Sequence, residues 1–254
     1  MIRDSIKKHY LGLSKEFRFR GEEPGRLENF SDAVFALAIT LLLISTTPPN
    51  NFEQIKRFLW DLIPFCMCIA LILLIWFEHF IFFFRYGMRN GKIVMLNTLF
   101  LVIVLFYVYP LKFLTKLFLF IPGYLFNQEN LLTELKGMIS GRDVGDLMII
   151  YGLGATGVFS VLALMYRNAF QNADALELNE IERFDTRMSI RANVLMGSVP
   201  LVSVLMAIIF QNSMYSGMIA GFTYFLYTPI MILHGRKVDK AREKILKGSV
   251  DEDN

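Results

Sequence analysis

The sequence predicts an all-α membrane protein that crosses the bilayer six times. Three observations predict it. The 254 residues are 54% hydrophobic and only 19% charged, with a mean hydropathy of +0.45, a balance outside the soluble globular range. Six apolar runs each reach the roughly 20 residues that cross about 30 Å of hydrocarbon. The basic residues are dense on alternate connections and sparse on the others. An open strand in lipid would leave backbone groups unpaired, so all six spans are expected as helices. The 24 phenylalanines suit a lipid-facing surface.

The elements follow in chain order. Residues 1–28 are polar and basic. They contain no short apolar core ending in small residues, so no cleavable signal peptide is expected. The predicted spans are 29–47, 60–84, 93–120, 145–169, 190–211 and 215–234. The short link Gln211–Gly217 makes the last two an antiparallel hairpin. The acidic stretch Asn172–Glu182 is expected as a solvated loop or short helix. The tail from Arg236 extends the sixth helix toward the acidic end at Asp251. Three parts result: a cytoplasmic segment 1–25, a six-helix transmembrane domain 26–235, and a charged cytoplasmic tail 236–254. No internal repeat and no separate soluble domain is visible.

Charge placement orients the chain. Twenty of the 26 Lys and Arg residues lie in the N-terminal segment, the second and fourth connections and the C-terminal tail. The opposite side holds Lys56, Arg57, Lys112, Lys116, Lys136 and Arg142. The positive-inside rule then places both termini in the cytoplasm, as an even number of spans requires.

Several motifs are set aside on chemistry. Gly152-Leu-Gly-Ala-Thr-Gly157 spells a dinucleotide fingerprint, but that motif needs a strand before it and a water-accessible crevice. Inside an apolar span, small residues that let two helices approach closely are the expected role. No Walker lysine loop, no H-E-x-x-H and no T-V-G-Y-G filter is present. His9, His79 and His234 are the only histidines, too few for a dedicated metal centre. Cys66 and Cys68 lie within an apolar run and are expected as small buried hydrophobes. No enzyme activity, cofactor, resident metal or nucleic-acid partner is expected.

The first span opens on polar residues. Leu37, Leu41 and Ile44 fall at i, i+4 and i+7 on one helical face, with Thr40 beside them. Periodicity alone does not separate a pore wall from a packing face. The entrance is more specific, because a membrane aspartate is costly and faces protein or water with a partner. Ser31 and Asp32 can cap the helix; alternatively Arg26, Asn29 and Asp32, within two turns, form a polar cluster. His79 late in the second span and Asn97 early in the third reach a similar depth. Two further functions fit the composition. One is a proton-coupled secondary transporter using Asp32 and His79 as a relay. The other is a non-conducting membrane scaffold whose basic tail binds anionic lipid. The absence of repeats and broken helices fits the transporter poorly.

Arg26-x-x-x-Phe30-Ser31-Asp32, followed by Ala-Val-Phe-Ala-Leu-Ala-Ile-Thr-Leu, resembles the signature of the transmembrane protein 175 potassium-channel family. The resemblance continues through Trp76-Phe-Glu-His79, Leu96-Asn97, Pro110 and the closing hairpin, covering about 26–234. It implies the prokaryotic branch, with four six-span subunits around one pore in the plasma membrane. The first span would line that pore, Leu37, Leu41 and Ile44 forming aliphatic rings and Thr40 a ring of hydroxyls. Many members carry isoleucine at the position of Leu37, a departure that bears on constriction width. Arg26, Phe30, Ser31 and Asp32 would lock the first span against its neighbours through His79 and Asn97. The implied function is a potassium channel of modest selectivity over sodium, its partners being potassium ions, lipid and three further copies of the chain.

Overall fold

The structure is a computed structural model that describes residues 17–44, 50–60, 62–125, 137, 139, 143–213 and 215–252. Among the described residues the regular structure is entirely helical. The helices are α1 (Arg26–Ile44), α2 (Phe52–Trp60), α3 (Leu62–Tyr86), α4 (Gly91–Leu125), α5 (Asp143–Gln171), α6 (Glu180–Ile209) and α7 (Ser216–Phe222). A 3-10 turn (Thr223–Leu226) then runs into α8 (Tyr227–Glu252).

Five described segments are long and apolar enough to cross a membrane: α3, Gly91–Val108 of α4, α5, α6, and the run Ser216–Ile245 through α7 and α8. They correspond to the second to sixth expected spans. The 19-residue α1 is not among the five; Glu28 and Asp32 stand in its first two turns.

The boundaries shift for local reasons. Helix α6 starts at Glu180, ten residues before the expected span, because Asn179 caps it. Glu182 N–H donates to Asn179 Oδ1 at 2.8 Å and Asn179 N–H to Glu182 Oε2 at 3.0 Å, a reciprocal capping box that satisfies two orphan donors. The expectation of a solvated acidic stretch is therefore corrected at its end: Glu182 is fully buried. Helix α2 has no counterpart among the expected spans. Asn51 Oδ1 accepts from Gln54 N–H at 2.8 Å at its start, and Phe52, Ile55 and Leu59 stand exposed at i, i+3 and i+7.

Close packing between α5 and its neighbours depends on missing side chains. A Cβ on Gly152 would lie 2.4 Å from Val204 Cγ2 and 2.9 Å from Pro200 O of α6, and one on Gly154 2.2 Å from the Tyr107 ring of α4. The Gly152–Gly157 run is thus a helix-contact surface. Pro200 has no N–H, which leaves the Met196 carbonyl without its intrahelical partner. Tyr227 Oη donates to that carbonyl at 2.9 Å. Together with Ser203 Oγ donating to Ala220 O at 2.9 Å, this contact sets α6 antiparallel to α7 and α8. Cys68 is buried, its Sγ 3.0 Å from Thr115 Oγ1, whereas Cys66 is exposed, against expectation.

Candidate pore helix and its polar lock

Helix α1 has two unlike faces. Ser31, Phe35, Ala38 and Leu42, at i, i+4, i+7 and i+11, are all buried against α3 and α4. The opposite face carries Arg26, Phe30, Leu37 and Thr40, all exposed, with Leu41 half-buried at its edge. Leu37 is 50% exposed. Ile44 continues this face by helical spacing, its side chain lying outside the described residues. Thr40 Oγ1 donates to Ala36 O at 2.8 Å, which leaves its lone pairs turned outward.

The buried face is held by a chain of hydrogen bonds across three helices. Ser31 Oγ donates to Leu27 O one turn back, at 2.8 Å. Its single proton is thereby used, so it accepts from Asn97 Nδ2 of α4, at 2.9 Å. That orients the Asn97 amide with Oδ1 toward His79 of α3, at 2.6 Å. The proton in that bond belongs to His79 Nε2, which donates. All three side chains are at least 98% buried, so every bond in the chain avoids an unpaired polar group in an apolar setting. Aromatic rings pack the imidazole in place: Phe100 stacks on it at 5.3 Å, and Phe83 and Phe35 flank it at 4.8 and 5.8 Å.

Asp32 belongs to a separate contact. Its Oδ1 accepts from the Trp76 indole N–H of α3 at 2.8 Å, on the more exposed side of α1. Successive residues of a helix point about 100° apart, so Ser31 and Asp32 engage different partners. Of the six residues expected in one cluster, the structure joins Ser31, His79 and Asn97. Asp32 is set beside them on Trp76, and Arg26 and Phe30 stand on the exposed face, apart from the chain. Asn29 is exposed too.

Two participants lie outside the expected site residues. Trp76 lies three residues before His79, one turn along the same side of α3, and shows in the sequence only as part of the Trp76-Phe-Glu-His79 stretch. Glu28, in the first turn of α1, is nearly buried and lies 3.8 Å from Arg89 Nε in the α3–α4 connection. Among the described residues no group of three or more His, Cys, Asp or Glu side chains is arranged to hold a metal ion.

The family model described as endosomal/lysosomal potassium channel TMEM175 matches residues 26–107, which contain Ser31, Asp32, Trp76, His79 and Asn97. A potassium channel of Marivirga tractuosa is 44% identical over 238 residues, 93% of this chain and 96% of that relative. The chain belongs to the TMEM175 potassium-channel family. A crystal structure of the potassium channel MtTMEM175, a threonine-to-alanine variant in complex with a nanobody–MBP fusion, matches with a TM-score of 0.80. Its identity is 44%, covering 90% of this chain and 99% of that one. The TMEM175 family consists of membrane-spanning ion channels, not enzymes.

Proposed function

We propose that the protein is a homotetrameric potassium channel of the prokaryotic plasma membrane, its pore lined by α1 from four subunits. Residues 26–235 form the channel unit, with α1 as the first of six spans, and the segments 1–25 and 236–254 are cytoplasmic. The carrying observation is the division of α1. One face is fixed to its own subunit through Ser31, Phe35, Ala38 and Leu42. The other, with Leu37 and Thr40, is exposed among the described residues and is free to face an axis.

Four Leu37 side chains around that axis, followed by Leu41 and Ile44, offer no oxygen to replace an ion's water shell. A narrow aliphatic ring is then a dewetting barrier and hence a gate. Thr40 lone pairs supply the polar groups between the rings. Without carbonyl cages, preference for potassium over sodium is modest. The polar lock sets the rotation of α1, and with it the residues that meet on the axis.

A proton-coupled carrier has less support. A relay needs Asp32 and His79 joined, yet Asp32 pairs with Trp76 and His79 with Asn97. The deciding experiment is a potassium/sodium bi-ionic reversal potential on purified protein in a planar bilayer. Single-channel steps with a reversal displaced toward the potassium equilibrium potential are expected. Saturable, gradient-coupled flux without steps would overturn the proposal.

A further inference from the structure

The nine residues before α1 form no helix, yet they are pinned on three sides. Phe17 is buried, edge-on to Tyr86 at 5.7 Å, with the Arg85 guanidinium over its ring at 5.1 Å. Arg20 N–H and Gly21 N–H donate to Arg85 O and Phe84 O at 3.3 and 3.1 Å, carbonyls left free at the C-terminal end of α3. Gly21 sits so close that a Cβ would lie 2.1 Å from Phe83 O. Gly87, at φ +56°, turns the chain beneath the strap where only glycine fits easily.

The third side is Glu182. Arg20 Nη1 and Nη2 fork onto its Oε1 and Oε2 at 3.1 and 2.8 Å. Arg18 N–H adds a bond to Oε1 at 2.7 Å, beside the Asn179 N–H bond to Oε2. Arg20 Nε also donates to Leu176 O at 2.8 Å. A fully buried carboxylate with all four acceptor positions filled is a rigid anchor. Only Gly21–Gly25 separates Arg20 from the first residue of α1. Within that spacer Arg89 Nη2 donates to Glu23 O at 3.2 Å.

We propose that Arg20 and Glu182 are positioning residues of the pore: their ion pair ties the foot of α1 to the α5–α6 turn and so sets how often the Leu37 ring is open. This rests on the pore reading above. The latch acts on the position of α1 and contributes nothing to the pore wall, so it governs open probability and leaves permeation unaltered. Any movement of the α5–α6 turn would be passed to the pore helix through this carboxylate and the Leu176 and Glu177 carbonyls that Arg20 also holds. Removing either partner takes away the bidentate fork and leaves the other desolvated group with fewer bonds, which loosens the strap.

The test uses the full-length protein in planar bilayers with Arg20→Gln, Glu182→Gln, the double variant, and Gly21→Ala. The last displaces the strap sterically without altering a charge. Each single variant should change open probability about fivefold or more, the lower end of ordinary coupling between sites. The double variant should do no more than either single one, Gly21→Ala should shift in the same direction, and unitary conductance and reversal potential should stay at wild-type values. Wild-type open probability in Arg20→Gln and Gly21→Ala would overturn the proposal, as would a change in conductance or selectivity. Should Glu182→Gln fail to assemble, Arg20→Gln, at a partly exposed residue, and Gly21→Ala still decide. A silent wild-type protein would instead defeat the pore reading. The latch would then be judged by hydrogen exchange: Arg20→Gln should lose protection through residues 26–32, and loss confined to 17–25 would overturn it.

Discussion

Trp76 of α3 donates its indole N–H to Asp32 of α1 at 2.8 Å, while Ser31, one residue earlier, turns inward to Asn97. Two adjacent side chains thus fasten the same helix to two neighbours. Trp76→Phe removes a charge-assisted donor at a half-buried site and should cost about 1 kcal/mol. A lower melting temperature of the detergent-solubilised protein, with an unchanged reversal potential, is the expected result. An altered reversal potential would place Asp32 in the ion path.

The Ser31–Asn97–His79 chain predicts non-additivity. Asn97→Leu strands the His79 N–H in an apolar pocket and should destabilise by about 1–3 kcal/mol. Adding His79→Phe removes the stranded group, and the double variant should be more stable than Asn97→Leu alone. Thermal melts of the two singles and the double measure the coupling. Simple additivity would mean that the chain of bonds is not the unit that matters.

Pro200 and Tyr227 form a second coupled pair. Tyr227→Phe frees the Met196 carbonyl and should cost about 1 kcal/mol. In a Pro200→Ala background the helix recovers its own N–H for that carbonyl, so the same change should cost less. Equal losses in both backgrounds would show that the tyrosine hydroxyl does not serve the proline gap.

Leu37→Ala shortens the side chain proposed to form the narrowest ring. Unitary conductance or resting leak should rise in bilayer recordings, because a wider, less apolar constriction wets more easily. An unchanged current would remove Leu37 from the gate.

Much of this architecture is legible from apolar runs and spacing, and the exceptions have physical causes. Five long helices announce themselves because lipid demands unbroken apolar length. Gly152–Gly157 is recognisable as a contact surface because small residues in a span have few other uses. Helix α2 escapes notice: nine residues with three apolar positions on one side look like an ordinary linker. Glu182 escapes for a different reason. In sequence it belongs to an acidic run fit for solvent, and its burial rests on the distant Arg20, 162 positions away, together with the Arg18 and Asn179 N–H groups. Asp32 was expected in one cluster with His79, yet depth along the bilayer says nothing about azimuth, and the 100° step from Ser31 decides the partner.

A Leu37 face that borders water on a shared axis is open to reagents that arrive through water. The most direct measurement is block of Leu37→Cys currents by a charged, water-soluble thiol reagent, with the wild type carrying Cys66 and Cys68 as control. Rapid loss of current is expected in the variant, slowed by permeant potassium, with none in the wild type. A Leu37→Cys channel that conducts normally and resists the charged reagent, yet reacts with a lipid-soluble maleimide, would contradict it.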